Sequence, residues 1–211
     1  NCHEARGDYE QALRMHESSL AMRRSVYGDM AHPDIASSLN NIANCHEARG
    51  DYEQALRMHE SSLAMRRSVY GDMAHPDIAS SLNNIAICHK ARGDYDQALR
   101  MYESSLDMDR SVYGDVAHPS IASSLNNIAN CHYSRGDYEQ ALRMHESCLA
   151  MRRSVYGDVA HPDIASSLNN IANCHEARGD YKQALRMHES TLAMRRSVYG
   201  DVAHPDIASS L

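Results

Sequence analysis

The sequence has no phenylalanine and no tryptophan, so its 6% aromatic content is entirely tyrosine. Any core must then come from Leu, Ile, Ala, Met, Val and Tyr. No apolar run approaches the ~20 residues that cross a bilayer, and no signal peptide is visible. The charge of −7, without a Lys/Arg block, argues against nucleic acid as a partner. There is no Asn-x-Ser/Thr sequon. No CxxC or HxxxH pair supplies the i,i+3 or i,i+4 geometry of a zinc site.

What is present is repetition. SLNNIANCHEARGDYEQAL, from Ser38 to Leu56, returns with few changes at Ser81, Ser124 and Ser167. Gly7, Gly50, Gly93, Gly136 and Gly179 are spaced by 43, as are Pro33, Pro76, Pro119, Pro162 and Pro205. A fixed period in this range marks an array in which each unit buries its face against the next. The expected organisation is one array over 1–211: a partial repeat 1–31, repeats 32–74, 75–117, 118–160 and 161–203, and a partial helix 204–211.

Each repeat reads as two antiparallel helices. In the copy at His32, Pro33 suits the first helical position, where its missing N–H costs nothing. Asp34 favours the positive first turn. Ile35/Ala36, Leu39, Ile42/Ala43 and His46 form a stripe at helical spacing. Arg49-Gly50 closes this helix A of about 17 residues. Asp51 and Gln54 form a capping box for a helix B of about 18 residues. Helix B presents Tyr52, Ala55/Leu56, His59, Ser62/Leu63 and Val69 or Tyr70 inward. Ala43 and Ala55 are small where the helices cross, and Gly71 ends the unit.

HPDIASSLNNIA, GDYEQAL and the SVYG ending resemble the tetratricopeptide repeat of the long, kinesin light chain type. The resemblance covers essentially the whole chain. It implies an all-α fold, a right-handed α-solenoid of antiparallel helix pairs with about five repeats. It departs in its period, 43 against the family's usual 42, and in His46 and His59, which stand where that family places Tyr. It also implies that the helix A stripe opposite the core lines a concave groove. Asn40 and Asn44 fall on positions that grip a peptide backbone or carboxylate in peptide-binding members.

Other residues invite chemical readings. Cys2, Cys45, Cys88, Cys131 and Cys174 recur at one position, too far apart for disulfides when helices pack ~8–10 Å apart. With Cys148 they read as reduced thiols, hence a cytoplasmic protein. Cys45 and His46 point ~100° apart on a helix and cannot chelate one ion together. His46 and His59 facing each other are two ligands, too few, so no metal and no cofactor is expected. Ser, His and Asp recur at the same position in every copy, whereas catalysis needs one convergent constellation; no enzyme is expected. Arg66-Arg67 and its copies favour the negative end of helix B.

The polar stripe of helix A holds Ser37, Asn40, Asn44 and Glu47/Ala48. An amide offers donors and an acceptor, which suits an extended backbone. Individuality lies where copies differ: Asn44 becomes Ile87, and Glu47 becomes Lys90 and then Tyr133. Apolar and aromatic anchors in a polar rim are the anatomy of a hot spot. The expected function is a scaffold that binds an extended peptide through Asn40, Asn44, Asn83, Ile87, Lys90, Asn126, Asn130, Tyr133, Asn169 and Asn173. The near-identity of the copies supports an alternative, a structural spacer or self-assembling array. The half-helices HPDIASSL and NCHEARG at the two ends lead to an expectation of end-to-end association.

Overall fold

The computed structural model describes residues 9–28, 30–114, 116–157, 159–200 and 204–208. Asn1, Cys2, Gly7 and Leu211, on which the end-to-end expectation rests, lie outside them. The described residues form ten helices and no strand: α1 (Tyr9–Tyr27), α2 (Pro33–Ala48), α3 (Tyr52–Tyr70), α4 (Pro76–Ala91), α5 (Tyr95–Tyr113), α6 (Pro119–Arg135), α7 (Tyr138–Tyr156), α8 (Pro162–Ala177), α9 (Tyr181–Tyr199) and α10 (Pro205–Ala208). Helices A and B thus alternate as the period requires. The chain falls into two compact units, Asn1–Val112 and Tyr113–Leu211.

Local chemistry sets the helix ends. His32 caps α2: its Nδ1 accepts the Asp34 backbone N–H at 3.1 Å, leaving Pro33 at the first turn. The ring stacks on Tyr27 with centroids 3.5 Å apart. At the other end Gly50 adopts φ +77°, which glycine permits without penalty. Its N–H donates to the Glu47 carbonyl and that of Asp51 to the His46 carbonyl, a Schellman ending. This ending takes the Asp51 amide that a full capping box needs. The box is therefore half formed: Asp51 Oδ1 accepts from Gln54 N at 3.2 Å, while Gln54 Oε1 accepts from Arg57.

The core uses the expected Leu, Ile, Ala, Met and Tyr and adds Cys. In the first unit Ile35, Leu39, Ile42 and Cys45 pack with Ala12, Leu13 and Leu20; in the second Ile164, Leu168, Ile171 and Cys174 pack with Ala141, Leu142 and Leu149. Ala43, Ala55, Ala129 and Ala141 are fully buried, as their small size requires. Met58, Met65, Met101, Met108, Met187 and Met194 pack against these clusters, whereas Met15, Met22, Met30, Met73, Val26, Val116 and Val159 are exposed. Serine serves the interior: Ser62 Oγ donates to the Ala36 carbonyl at 2.8 Å and Ser105 Oγ to that of Ala79 at 2.9 Å. Cys148 does the same toward Ala122 at 3.2 Å. These groups bind helix B to helix A without leaving a buried hydroxyl unpaired.

The arginine pair divides its roles. Arg67 is exposed, but Arg66 is buried and reaches the next repeat. The helix-end reading therefore does not describe Arg66. Arg23, Arg152 and Arg195 make the same reach, to the carbonyls of Asp34, Asp163 and Asp206.

Candidate functional site

The polar faces of the A helices carry the predicted residues, and each unit holds its own set. In the first unit Asn40 and Asn83 are half-buried and Asn44 is exposed. Asn84 Nδ2 donates to Asn40 Oδ1 at 2.8 Å, linking α2 to α4. Ile87 stands exposed one turn beyond Asn83, and Lys90 is half-buried beside it in the chain. In the second unit Asn126, Asn130, Asn169 and Asn173 are half-buried, and Asn170 Nδ2 donates to Asn126 Oδ1 at 3.1 Å. Tyr133 is 37% exposed and meets Tyr138 edge-on, with centroids 5.2 Å apart.

The Asn84 and Asn170 partners were not among the predicted residues. Their signal was the doublet Asn40-Asn41: neighbours on a helix diverge by ~100°, so one member faces outward while the other reaches the adjacent helix. Each amide pair consumes one acceptor and one donor and leaves the remaining groups of both side chains for another partner.

Glu47 behaves differently from the rest of the stripe. Its Oε1 lies 2.9 Å from His59 Nε2 and 3.2 Å from Cys88 Sγ. His59 and Cys88 are fully buried, and Glu47 is about a fifth exposed. His59 therefore meets Glu47, not His46 as the sequence suggested. His46 Nδ1 lies 3.6 Å from Asp51 Oδ2, and the matching Nδ1 atoms of His89, His132 and His175 lie about as close to Asp94, Asp137 and Asp180; all four are buried and make no hydrogen bond. Burial, and then the Glu47 carboxylate, push the Cys88 thiol far above its ordinary range.

In the second unit Glu176 keeps the acid, 3.9 Å from His188, but the copy before it does not. Tyr133 replaces Glu47, so His145, 1% exposed, has no carboxylate at that position. Burial, reinforced by Arg152, lowers its pKa to about 4. Burial pushes the Cys174 thiol up to about 11. All five described cysteines are buried and none is in a disulfide.

Paired antiparallel helices repeating every 43 residues, with polar A faces, define a helical-repeat protein. The tetratricopeptide repeat family matches residues 1–68, 34–111, 77–154 and 120–197. The chain belongs to that family. No curated protein sequence matches it. Among solved structures it resembles a putative kinesin light chain of nearly identical TPR-like repeats from Podosopora anserina, at 20% identity and a TM-score of 0.78, covering 94% of this chain and 92% of that one. BtubC from P. vanneervenii is similar at 22% identity and a TM-score of 0.81, over 96% and 79% of the two chains. RapI in its apo form matches at 16% identity and a TM-score of 0.73, over 91% of this chain and half of RapI. At these identities the likeness is one of fold. Repeats of this family are generally non-enzymatic interaction scaffolds. No helix among the described residues is long and apolar enough to cross a membrane.

Proposed function

We propose that the chain, read as one array over 1–211, is a non-enzymatic scaffold whose A-helix faces bind an extended peptide. The supporting observation is the exposure of Ile87 and Tyr133, each within a row of asparagine amides in its own unit. The amides supply backbone hydrogen bonds of about 0.5–1.5 kcal/mol each. Ile87 and Tyr133 supply apolar contact, and Lys90 favours a nearby acid on the ligand. Affinity is modest, because ordering a flexible peptide offsets much of the contact energy. A peptide-library selection on the parent chain and on Ile87→Asn, Lys90→Glu and Tyr133→Glu combined tests this. The parent enriches peptides with an apolar residue near an acid, and the triple variant loses them. Enrichment unaffected by the three changes removes the reading.

A spacer or self-assembling role is the second reading. The internal pairing of Asn40 with Asn84 and of Asn126 with Asn170 favours it, since that pairing serves repeat stacking without any ligand. A selection that yields no peptide, with a sedimentation profile that grows with concentration, supports it instead.

A further inference from the structure

Glu47, His59 and Cys88 come from three different helices, α2, α3 and α4, and their donor atoms lie within 4.8 Å of one another. A carboxylate oxygen, an imidazole nitrogen and a sulfur so gathered form the donor set of a borderline-soft divalent ion. We propose that they bind one Zn²⁺-like cation in the first unit. Zinc sits about 2.0–2.1 Å from nitrogen, 2.0–2.2 Å from oxygen and 2.3 Å from sulfur, so tetrahedral donors lie roughly 3.3–3.6 Å apart. The observed separations of 2.9 and 3.2 Å fall just short of this. The third separation, His59 Nε2 to Cys88 Sγ, is within 4.8 Å, so small movements of the three side chains bring the set to this spacing.

Without metal, two donors converge on one oxygen: His59 Nε2–H and the Cys88 thiol both point at Glu47 Oε1. Binding exchanges those hydrogen bonds for metal bonds. The thiol proton leaves to solvent, the His59 proton moves from Nε2 to Nδ1, and the cation takes sulfur, nitrogen and oxygen: M²⁺ + Cys–SH + His + Glu⁻ gives the bound set and one H⁺. Thiolate excludes Mg²⁺ and Ca²⁺, which take oxygen ligands. Three protein donors leave a fourth position for water or an outside ligand. The partial exposure of Glu47 provides the path of entry.

The other copies supply controls. In the second unit Tyr133 occupies the acid position beside His145 and Cys174, so that set lacks one ligand. Tyr102 occupies the His59 position one repeat later, which shows that tyrosine is compatible with the fold there. In the first copy Glu4 lies outside the described residues, so the experiment reads differences in stoichiometry.

Reduced protein is titrated with Co²⁺, followed by its thiolate-to-cobalt charge-transfer band and by equilibrium dialysis, with circular dichroism to confirm folding. The parent develops the band, and Zn²⁺ abolishes it. Cys88→Ser and His59→Tyr each remove one bound equivalent, and Tyr133→Glu adds one. Zn²⁺ raises the Tm of the parent more than that of His59→Tyr. A parent without the band, or a stoichiometry that neither Cys88→Ser nor His59→Tyr reduces, overturns the assignment.

Discussion

Arg66 donates from Nη1 to the main-chain carbonyl of Asp77, 2.7 Å away, so a helix B side chain holds the first turn of the next helix A. The same nitrogen reaches Ser81 Oγ at 2.7 Å. Both partners are acceptors aimed at the guanidinium in a nearly closed site.

Replacing Arg66 by Ala leaves these acceptors without their donor. Hydrogen bonds to charged groups are worth about 1.5–3 kcal/mol, so Arg66→Ala costs about 2 kcal/mol. The exposed neighbour Arg67→Ala changes stability by no more than about 0.5 kcal/mol. Urea melts of the two variants measure the contrast. Equal effects would return both residues to a generic helix-end role.

His145 predicts a pH dependence. Its folded pKa, about 4, lies below its ordinary 6.5 because burial disfavours the cation. Folding therefore favours the neutral ring, and the contribution is complete above pH 6.5. It is lost as pH falls from 6.5 toward 4, where the folded form also protonates, for a total of about 3 kcal/mol. His145→Tyr, which places there the residue found at Tyr102, removes this part of the profile. Tm measured against pH in parent and variant reads the difference, and parallel curves would show that His145 does not carry it.

Cys148 predicts a repair. It occupies the position of Ser62 and Ser105 and donates to a carbonyl from sulfur at 3.2 Å where they donate from oxygen at 2.8 and 2.9 Å. Thiols are weak donors. Cys148→Ser is expected to raise stability by about 0.5–1 kcal/mol. A lower Tm in Cys148→Ser would mean that the pocket is shaped for sulfur's volume.

His75 tests the corner between repeats. It caps α4 through Nδ1 at 3.1 Å from Asp77 N and stacks on Tyr70 with centroids 3.5 Å apart. His75→Ala loses both and costs at least about 1 kcal/mol, the worth of a cap. His75→Asn keeps an acceptor and loses only the stack, so its Tm falls between the parent and His75→Ala. A Tm for His75→Asn equal to that of His75→Ala would assign the whole effect to stacking.

The period, the Pro and Gly punctuation and the apolar stripe made the helix pairs readable from residues alone, because each is set by chemistry within a few positions. The side-chain targets were not readable in the same way. Glu47 sits on the stripe with Asn40 and Asn44, yet its length lets it turn toward His59, 12 residues on, and Cys88, 41 residues on. Arg66 looked like its neighbour Arg67 until the next helix placed acceptors in front of it. Methionine was legible as a core type but not position by position: Met58, Met65, Met101 and Met108 pack against the core, whereas Met15, Met22 and Met73 are exposed. The amide rows were legible as polar faces. Their mutual pairing required the register between successive A helices.

The corner built from Tyr70, His75 and Asp77 recurs as Tyr156, His161 and Asp163, with the same stack and the same tyrosine-to-aspartate bond. All three side chains fall within one short stretch of sequence, which recurs at Tyr27, Tyr156 and Tyr199, while the copy at Tyr113 keeps the tyrosine and histidine and has Ser120 in place of the aspartate. Adding or deleting one whole copy that carries the Tyr-His-Asp corner therefore rebuilds the same joint at the seam.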